Sequence, residues 1–348
     1  MGLGSTVKAI WQLLQGTTNP DVVALYNNLY QRLEGAKSGI GGIISSCGNV
    51  FYVDPVNGLN TNNGRTPATA FQTTAYALTQ CVADNSDVII RMPGPEWIDD
   101  NVPGAAAIAM NVAGVSLIGV NAYQPDKPEA FAYYGRYGAG GWGAGTALGP
   151  VFEVTAPCAI IGIMAVCDAA YALLPHNGSA IQLNGQVGAF EGSYNYIAKC
   201  RFVNWGVSGV GIDIYGASYN WIEDCVFEGL VTAGIYIDAQ VHNSTYNVLR
   251  KNLFRSGGSG ITLRAGTHNN DIIENFFDRD LVAASGIIGT AGAAANCFNN
   301  KFALSEAGGV GGAYDAVLAA RQAAGFYCAG NWYIDIPAGL ATATDPTS

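Results

Sequence analysis

Six times between residues 197 and 333 the chain repeats one short phrase: an apolar residue, a Cys or Asn three places on, and an aromatic two places after that. The phrase reads Ile197, Cys200, Phe202; Ile222, Cys225, Phe227; Leu249, Asn252, Phe254; Ile272, Asn275, Phe277; Cys297, Asn300, Phe302; and Cys328, Asn331, Tyr333. The aromatics are 25, 27, 23, 25 and 31 residues apart. A second element, Gly211-Ile212, Gly234-Ile235, Gly260-Ile261 and Gly286-Ile287, recurs at spacings of 23, 26 and 26 between them. A period in this range restricts the chain to stacked repeats, each burying its apolar side against the next.

The repeated pieces are short, β-branched and bounded by Gly and Asn, and no repeat has room for an amphipathic helix. Each repeat therefore reads as one turn of a coil of parallel strands. Leucine-rich repeats share the period and an Asn column and are the alternative, but Leu is not the recurring residue here. The column Cys200, Cys225, Asn252, Asn275, Asn300, Asn331 reads as an inward ladder at a turn, with stacked amides bonding to one another at about 4.8 Å spacing. Cys297 and Cys328 fall in the column otherwise filled by Ile197, Ile222, Leu249 and Ile272, which makes them core thiols. Fainter rungs lie upstream at Val115 to Val120 and Cys158 to Ile163.

Charge is scarce: 12% of residues are Asp, Glu, Lys or Arg, while Gly numbers 46 of 348. A chain this poor in charge must hide much of its surface by stacking on itself or on copies of itself. The 26 acidic residues outweigh 16 basic ones, so neither nucleic acid nor a membrane surface is an expected partner. The rung alignment pairs most of the charges. Lys199, Asp224, Lys251 and Glu274 alternate in sign, as do Glu228, Arg255 and Asp278, and Glu223 stacks under Arg250. Opposite charges on adjacent strands fix register.

The ends read differently. Residues 1–42 form a helical segment: Val7, Ile10, Trp11 and Leu14 recur at helical spacing, and Asn19-Pro20-Asp21 opens a second helix with a stripe of Val22, Leu25, Tyr26, Leu29, Tyr30 and Leu33. No signal peptide is read there, and Met1-Gly2-Leu3-Gly4-Ser5-Thr6 matches a myristoylation pattern too short to carry weight. The repeat region spans 43–336, and residues 337–348 form a tail. Tyr314 to Ala324 reads as a short helix over the last rung.

Phe51-Tyr52-Val53-Asp54-Pro55, Asn63-Gly64-Arg65-Thr66-Pro67 with Ala70-Phe71, Ala77-Leu78, and Asp87-Val88-Ile89-Ile90-Arg91 together resemble the N-terminal segment of right-handed parallel β-helix proteins. That superfamily includes pectate-lyase-like enzymes and phage tailspikes. The resemblance covers about residues 51–336. It implies an all-β fold, a right-handed parallel β-helix solenoid led by an edge strand, a capping helix and a first rung strand. It is weak for function, because this fold hosts lyases, hydrolases and inert virion proteins alike.

Few residues stand out as chemical. Asp213 and Asp238 lie on adjacent rungs offset by two positions, which places their Cα atoms about 8 Å apart, a separation that suits a two-carboxylate glycosidase; solvated surface positions are the simpler expectation. Tyr215, Trp221 and Tyr236 are the aromatics expected to be exposed to a glycan. His242 and His268 are too isolated for a metal site or a triad. Gly138 to Gly143 matches a dinucleotide fingerprint without a following helix, and Asp54 with Asn57, Asn60 and Asn62 resembles an oxygen-rich calcium loop with too few carboxylates. No cofactor and no metal is expected.

The expected function is a structural, non-catalytic virion protein: a capsid decoration, spike or fibre related to the β-helical proteins of phages. It is expected to be a homotrimer that meets other virion proteins through its N-terminal helices and is assembled in the host cytoplasm. The alternative is a polysaccharide-cleaving tailspike, lyase or glycosidase, or a glycan-binding module, whose partner is a host surface glycan.

Overall fold

A computed structural model of the chain describes residues 48–99, 106–120, 132–137, 149–167, 179–185, 192–204, 209–239, 242–278, 286–290, 292–303 and 327–334. The helices read at the N-terminus and at Tyr314 to Ala324, the Gly138 to Gly143 match, and the tail lie outside these residues.

The described strands wind into a right-handed parallel β-helix with three faces. The first face is a ten-stranded sheet running from Val50–Val53 to Tyr327–Ala329. The second begins at Gly94–Asp99 and passes through Ile163–Cys167 and Arg201–Asn204 to Trp332–Ile334. The third runs from Ile108–Met110 through Ser179–Asn184 and Val210–Tyr215 to Ile287–Gly289. Two long strands, Val226–Asp238 and Leu253–Leu263, cross the corner between the second and third faces, with their mutual register shifting between Leu230 and Ala233.

Alternation along each strand sends every second residue inward. On the first face one unbroken inner column runs Phe51, Ile89, Leu117, Ile160, Ile197, Ile222, Leu249, Ile272, Cys297. The faint upstream rungs therefore carry on the same column. On the second face Phe202, Phe227, Phe254, Phe277 and Phe302 stack with ring centroids 4.7 to 4.9 Å apart and planes within 16° of parallel. The Gly column lies against this stack. A Cβ added to Gly211, Gly234, Gly260 or Gly286 would meet the ring of Phe227, Phe254, Phe277 or Phe302 at 2.5 to 2.6 Å. The glycines recur because the next rung's ring occupies the space of a side chain.

Between the first and second faces the chain turns through one left-handed residue per rung: Lys199, Asp224, Lys251, Glu274 and Asn299 have φ of 53 to 56°, and Gly330 has 63°. The Cys and Asn column follows directly. Asn252, Asn275 and Asn300 each donate from the backbone N–H and from Nδ2 to the Oδ1 of the Asn one rung on, at 2.9 to 3.1 Å. The same Nδ2 groups reach back to the carbonyls of Ile222, Leu249 and Ile272. Above them Cys200 and Cys225 replace the amides, and their thiols donate to backbone carbonyls. Cys158, Cys200, Cys225 and Cys297 are buried free thiols.

A second ladder, absent from the sequence reading, closes the corner between the third and first faces. Asn195, Asn220 and Asn247 donate from N–H and Nδ2 to the Oδ1 of Asn220, Asn247 and Asn270, at 2.9 to 3.0 Å. Its signal was present: each of these Asn residues stands two places before the apolar column residue Ile197, Ile222, Leu249 or Ile272.

A solenoid must close its open end. Here Val50–Val53 pairs with Val88–Arg91, and the helix Thr74–Thr79 turns Ala77 and Leu78 into the core. Arg91 is fully buried beneath it, paired to Glu96 at 3.3 Å. The Glu96 carboxylate also accepts from the N–H and hydroxyl of Thr74, at 2.9 and 2.7 Å, so it holds the first turn of the capping helix. Arg91 further donates to the carbonyls of Met92 and Gly94 and lies over the Tyr134 ring. The ion pair is tolerable in the interior because its polar groups are partnered.

Candidate functional site

The third face carries the chemically richest outer surface. Its strands are in register, so Glu153, Gln182, Asp213, Tyr236 and Thr262 form one outer column. Asn184, Tyr215 and Asp238 form the next, two residues along. Inward from both lies the column Ile181, Ile212, Ile235, Ile261 and the parallel one Leu183, Ile214, Ile237, Leu263, all fully buried. The two-residue offset read between Asp213 and Asp238 thus corresponds to a diagonal of this sheet.

Their surroundings overturn the expectation of solvated carboxylates. Asp213 is 0% and Asp238 1% exposed. Gln182 donates from Nε2 to Asp213 Oδ2 at 3.2 Å, and Asn184 donates to Glu153 Oε1 at 2.9 Å across the neighbouring diagonal. Tyr215 and Tyr236, expected as exposed aromatics, are 8% and 5% exposed. Tyr236 packs with Val210 and Ala233 in a small apolar cluster separate from the main core. Burial raises the phenol pKa of Tyr215, and the charges of Asp238 and Asp213 add to it. Burial likewise raises that of Tyr236, where the Arg264 guanidinium opposes the rise and the two aspartates reinforce it. Two carboxylates, two phenols and a guanidinium meet here, but the carboxylates are closed to a bulky substrate in this conformation.

The other candidates are elsewhere. Trp221 is half-buried on the outer side of the first face, where its indole N–H donates to Glu223 Oε2 at 2.9 Å. It shares no face with Tyr215 or Tyr236, so the three named aromatics do not form one platform. Glu223 is in register with Arg250, as aligned, but its carboxylate receives the Tyr196 hydroxyl and the Trp221 indole, while Arg250 pairs with Glu274 at 3.1 Å. Arg201 pairs with Glu228 at 2.6 Å and Arg255 with Asp278 at 3.5 Å.

The oxygen-rich loop is a set of turn locks. Asp54 accepts from the backbone of Val56 and Asn57 and from Asn57 Nδ2. Asn60 accepts from Gln72 and Thr73, and Asn62 donates to the Ala70 carbonyl. Among the described residues no three His, Cys, Asp or Glu side chains gather as metal ligands would.

Sequence reasoning also missed a tyrosine row at the corner before the first face. Tyr194, Tyr219 and Tyr246 stack with ring centroids 5.0 and 5.1 Å apart and planes within 10° of parallel. Each has a left-handed φ, of 62, 60 and 57°, a conformation that bulky side chains rarely adopt. Their spacing of 25 and 27 residues matches the rung period, and each stands directly before an Asn of the second ladder.

Against known proteins, a family model described as periplasmic copper-binding protein (NosD) matches residues 177–289. Among the described residues of that stretch Cys200 and Cys225 are buried and bonded to backbone carbonyls, and no three His, Cys, Asp or Glu side chains gather, so these residues do not fit a copper centre. No curated protein matches the sequence. Among solved structures, a rhamnogalacturonan lyase superimposes with a TM-score of 0.57 at 17% identity, over 74% of this chain and 69% of that one. Geobacillus virus E2 ORF18 follows with a TM-score of 0.38 at 12% identity, over 75% of this chain and 57% of that one. A GH136 lacto-N-biosidase from Eubacterium ramulus reaches 0.24 at 10% identity, over 82% and 67%. Of these three, the first is close enough to speak to the fold, and it speaks to the fold alone.

Proposed function

We propose that this chain is a non-catalytic structural protein of a virion, a decoration, spike or fibre, built as a homotrimer and attached to other virion proteins through its N-terminal segment. The observation that carries the reading is the closure of the acidic pair singled out among the described residues: Asp213 and Asp238 are buried. The surface charges support it, since the ion pairs Arg201–Glu228, Arg250–Glu274 and Arg255–Asp278 tie rung to rung. A surface with so few charges favours contact with copies of itself. Light scattering tests the trimer: a mass of three chains is expected, and a mass of one chain overturns it. Peptide mapping of purified phage particles tests the location, which a consistent absence of the chain from the particles overturns. Assembly in the host cytoplasm follows from this reading.

A second reading rests on the same face. The diagonal of Asp213 and Asp238, with Tyr215, Tyr236 and Arg264 beside it, is the arrangement a polysaccharide-cleaving enzyme would use after local opening. It requires product release from a polysaccharide that Asp213→Asn or Asp238→Asn abolishes. Equal release by wild type and both variants excludes these residues.

A further inference from the structure

Side chains that alternate outward on an open sheet face are ordinarily polar. On the first face they are apolar for most of its length. One outer column, in register from rung to rung, runs from Tyr52, Ile90, Ile118 and Ile161 near the N-terminal end to Ile273 and Phe298 near the other. Ile90 is buried and the other five are half-buried, so they keep apolar surface directed away from the core. Tyr327, in edge contact with Phe298 on the last rung, is 63% exposed.

The charges on this face are bonded within the chain. Glu223 receives the Tyr196 hydroxyl and the Trp221 indole, Arg250 pairs with Glu274, and Asp271 accepts from Asn296 Nδ2 at 2.8 Å. Charged groups that already have partners lose less when water is removed than charges left alone. The same face gives a highly charged ligand little to bind, because its charges are engaged and the rest of its outer column is apolar.

We propose that the first face packs against another copy of this chain. The inference rests on the self-association in the proposed function and names the surface that carries it. Ten strands at about 4.8 Å spacing, about four residues wide, give each copy roughly 600 Å² of face, so two copies bury about 1,200 Å², the lower end for a stable interface. Sheets pack face to face with their side chains interdigitated. A second copy carries the same rung spacing, so its columns mesh along the whole face, where an unrelated surface meets them only in part. Turned toward a common axis, the faces of three copies meet in the same way.

Light scattering of the full chain over a dilution series, with the far-UV spectrum as the check of fold, tests this. Ile118→Glu and Ile161→Glu each place an unpaired charge in the contact and are expected to reduce the wild-type mass to that of one chain. Ile161→Ser trims apolar surface without adding a charge; association about tenfold weaker is expected, and this variant decides if the Glu variants misfold. Leu59→Glu, 56% exposed in the loop after Val50–Val53, is expected to leave the mass unchanged. Three chains in wild type and in every folded variant overturn this surface and leave the trimer standing, and loss of association in Leu59→Glu as well overturns its assignment to the first face. Two chains in wild type, reduced to one by the substitutions on the face, overturn the trimer and uphold the surface. One chain in wild type overturns both.

Discussion

Gly260 faces Phe277 so closely that a Cβ on the glycine would stand 2.5 Å from ring carbon Cε1 and 2.7 Å from the carbonyl of Gly286. The same contact recurs between Gly234 and Phe254. Gly260→Ala therefore pushes on both the Phe stack and the next rung's backbone. Overpacking of this kind costs about 1–3 kcal/mol. A lower denaturation midpoint with unchanged slope in urea is the expected result; a stability equal to wild type contradicts the contact.

Asn275 sits in mid-ladder, accepting from the N–H and Nδ2 of Asn252 and donating to the carbonyl of Leu249. Asn275→Ala leaves buried donors without an acceptor, at roughly 2–4 kcal/mol in total. Asn275→Cys is expected to cost less, because Cys200 and Cys225 already fill this column with thiols bonded to carbonyls. Thermal unfolding of the two variants side by side checks the order.

Glu96 gives a pH dependence of definite sign. Its burial raises the carboxyl pKa above 4.5, with Arg91 and Thr74 opposing the rise. The folded chain thus holds this proton at pH values where the unfolded chain releases it, and the stability gained is lost as pH rises through the folded pKa. Relative to Glu96→Gln, which has no proton to lose, wild type is expected to lose stability as pH rises above 4.5. Thermal midpoints of both proteins across that range decide it, and a difference that moves the other way refutes the assignment.

Cys81 is half-buried, and burial with the nearby Asp87 charge pushes its thiol up to about 12. Its Sγ donates to the Ala77 carbonyl at 3.4 Å. Because the thiolate is the reactive form, iodoacetamide at pH 8 is expected to leave Cys81 unmodified in the native protein and to label it after denaturation, as read by peptide mass.

Much of this architecture was legible before any coordinates. Period and alternation are local properties, so the spacing of Phe202, Phe227 and Phe254 located the rungs, and the Cys and Asn column stood at its corner. The lead-in from Phe51 to Gly94 carried the cap in recognisable motifs. Arg250 shows the limit. Register aligned it with Glu223, but the choice of Glu274 depended on Tyr196 and Trp221 occupying the Glu223 carboxylate.

What the sequence determined by itself is therefore the order along the chain: which residues share a rung, a column and a side of the strand. Tertiary structure alone decided which outward positions remain in water. Asp213, Tyr215, Tyr236 and Asp238 alternate outward as a strand requires and are nevertheless buried, whereas Tyr246, at a strained corner position, is half exposed. Alternation is set by the two-residue pleat of one strand; burial is set by neighbours far apart in sequence, and no local pattern encodes them.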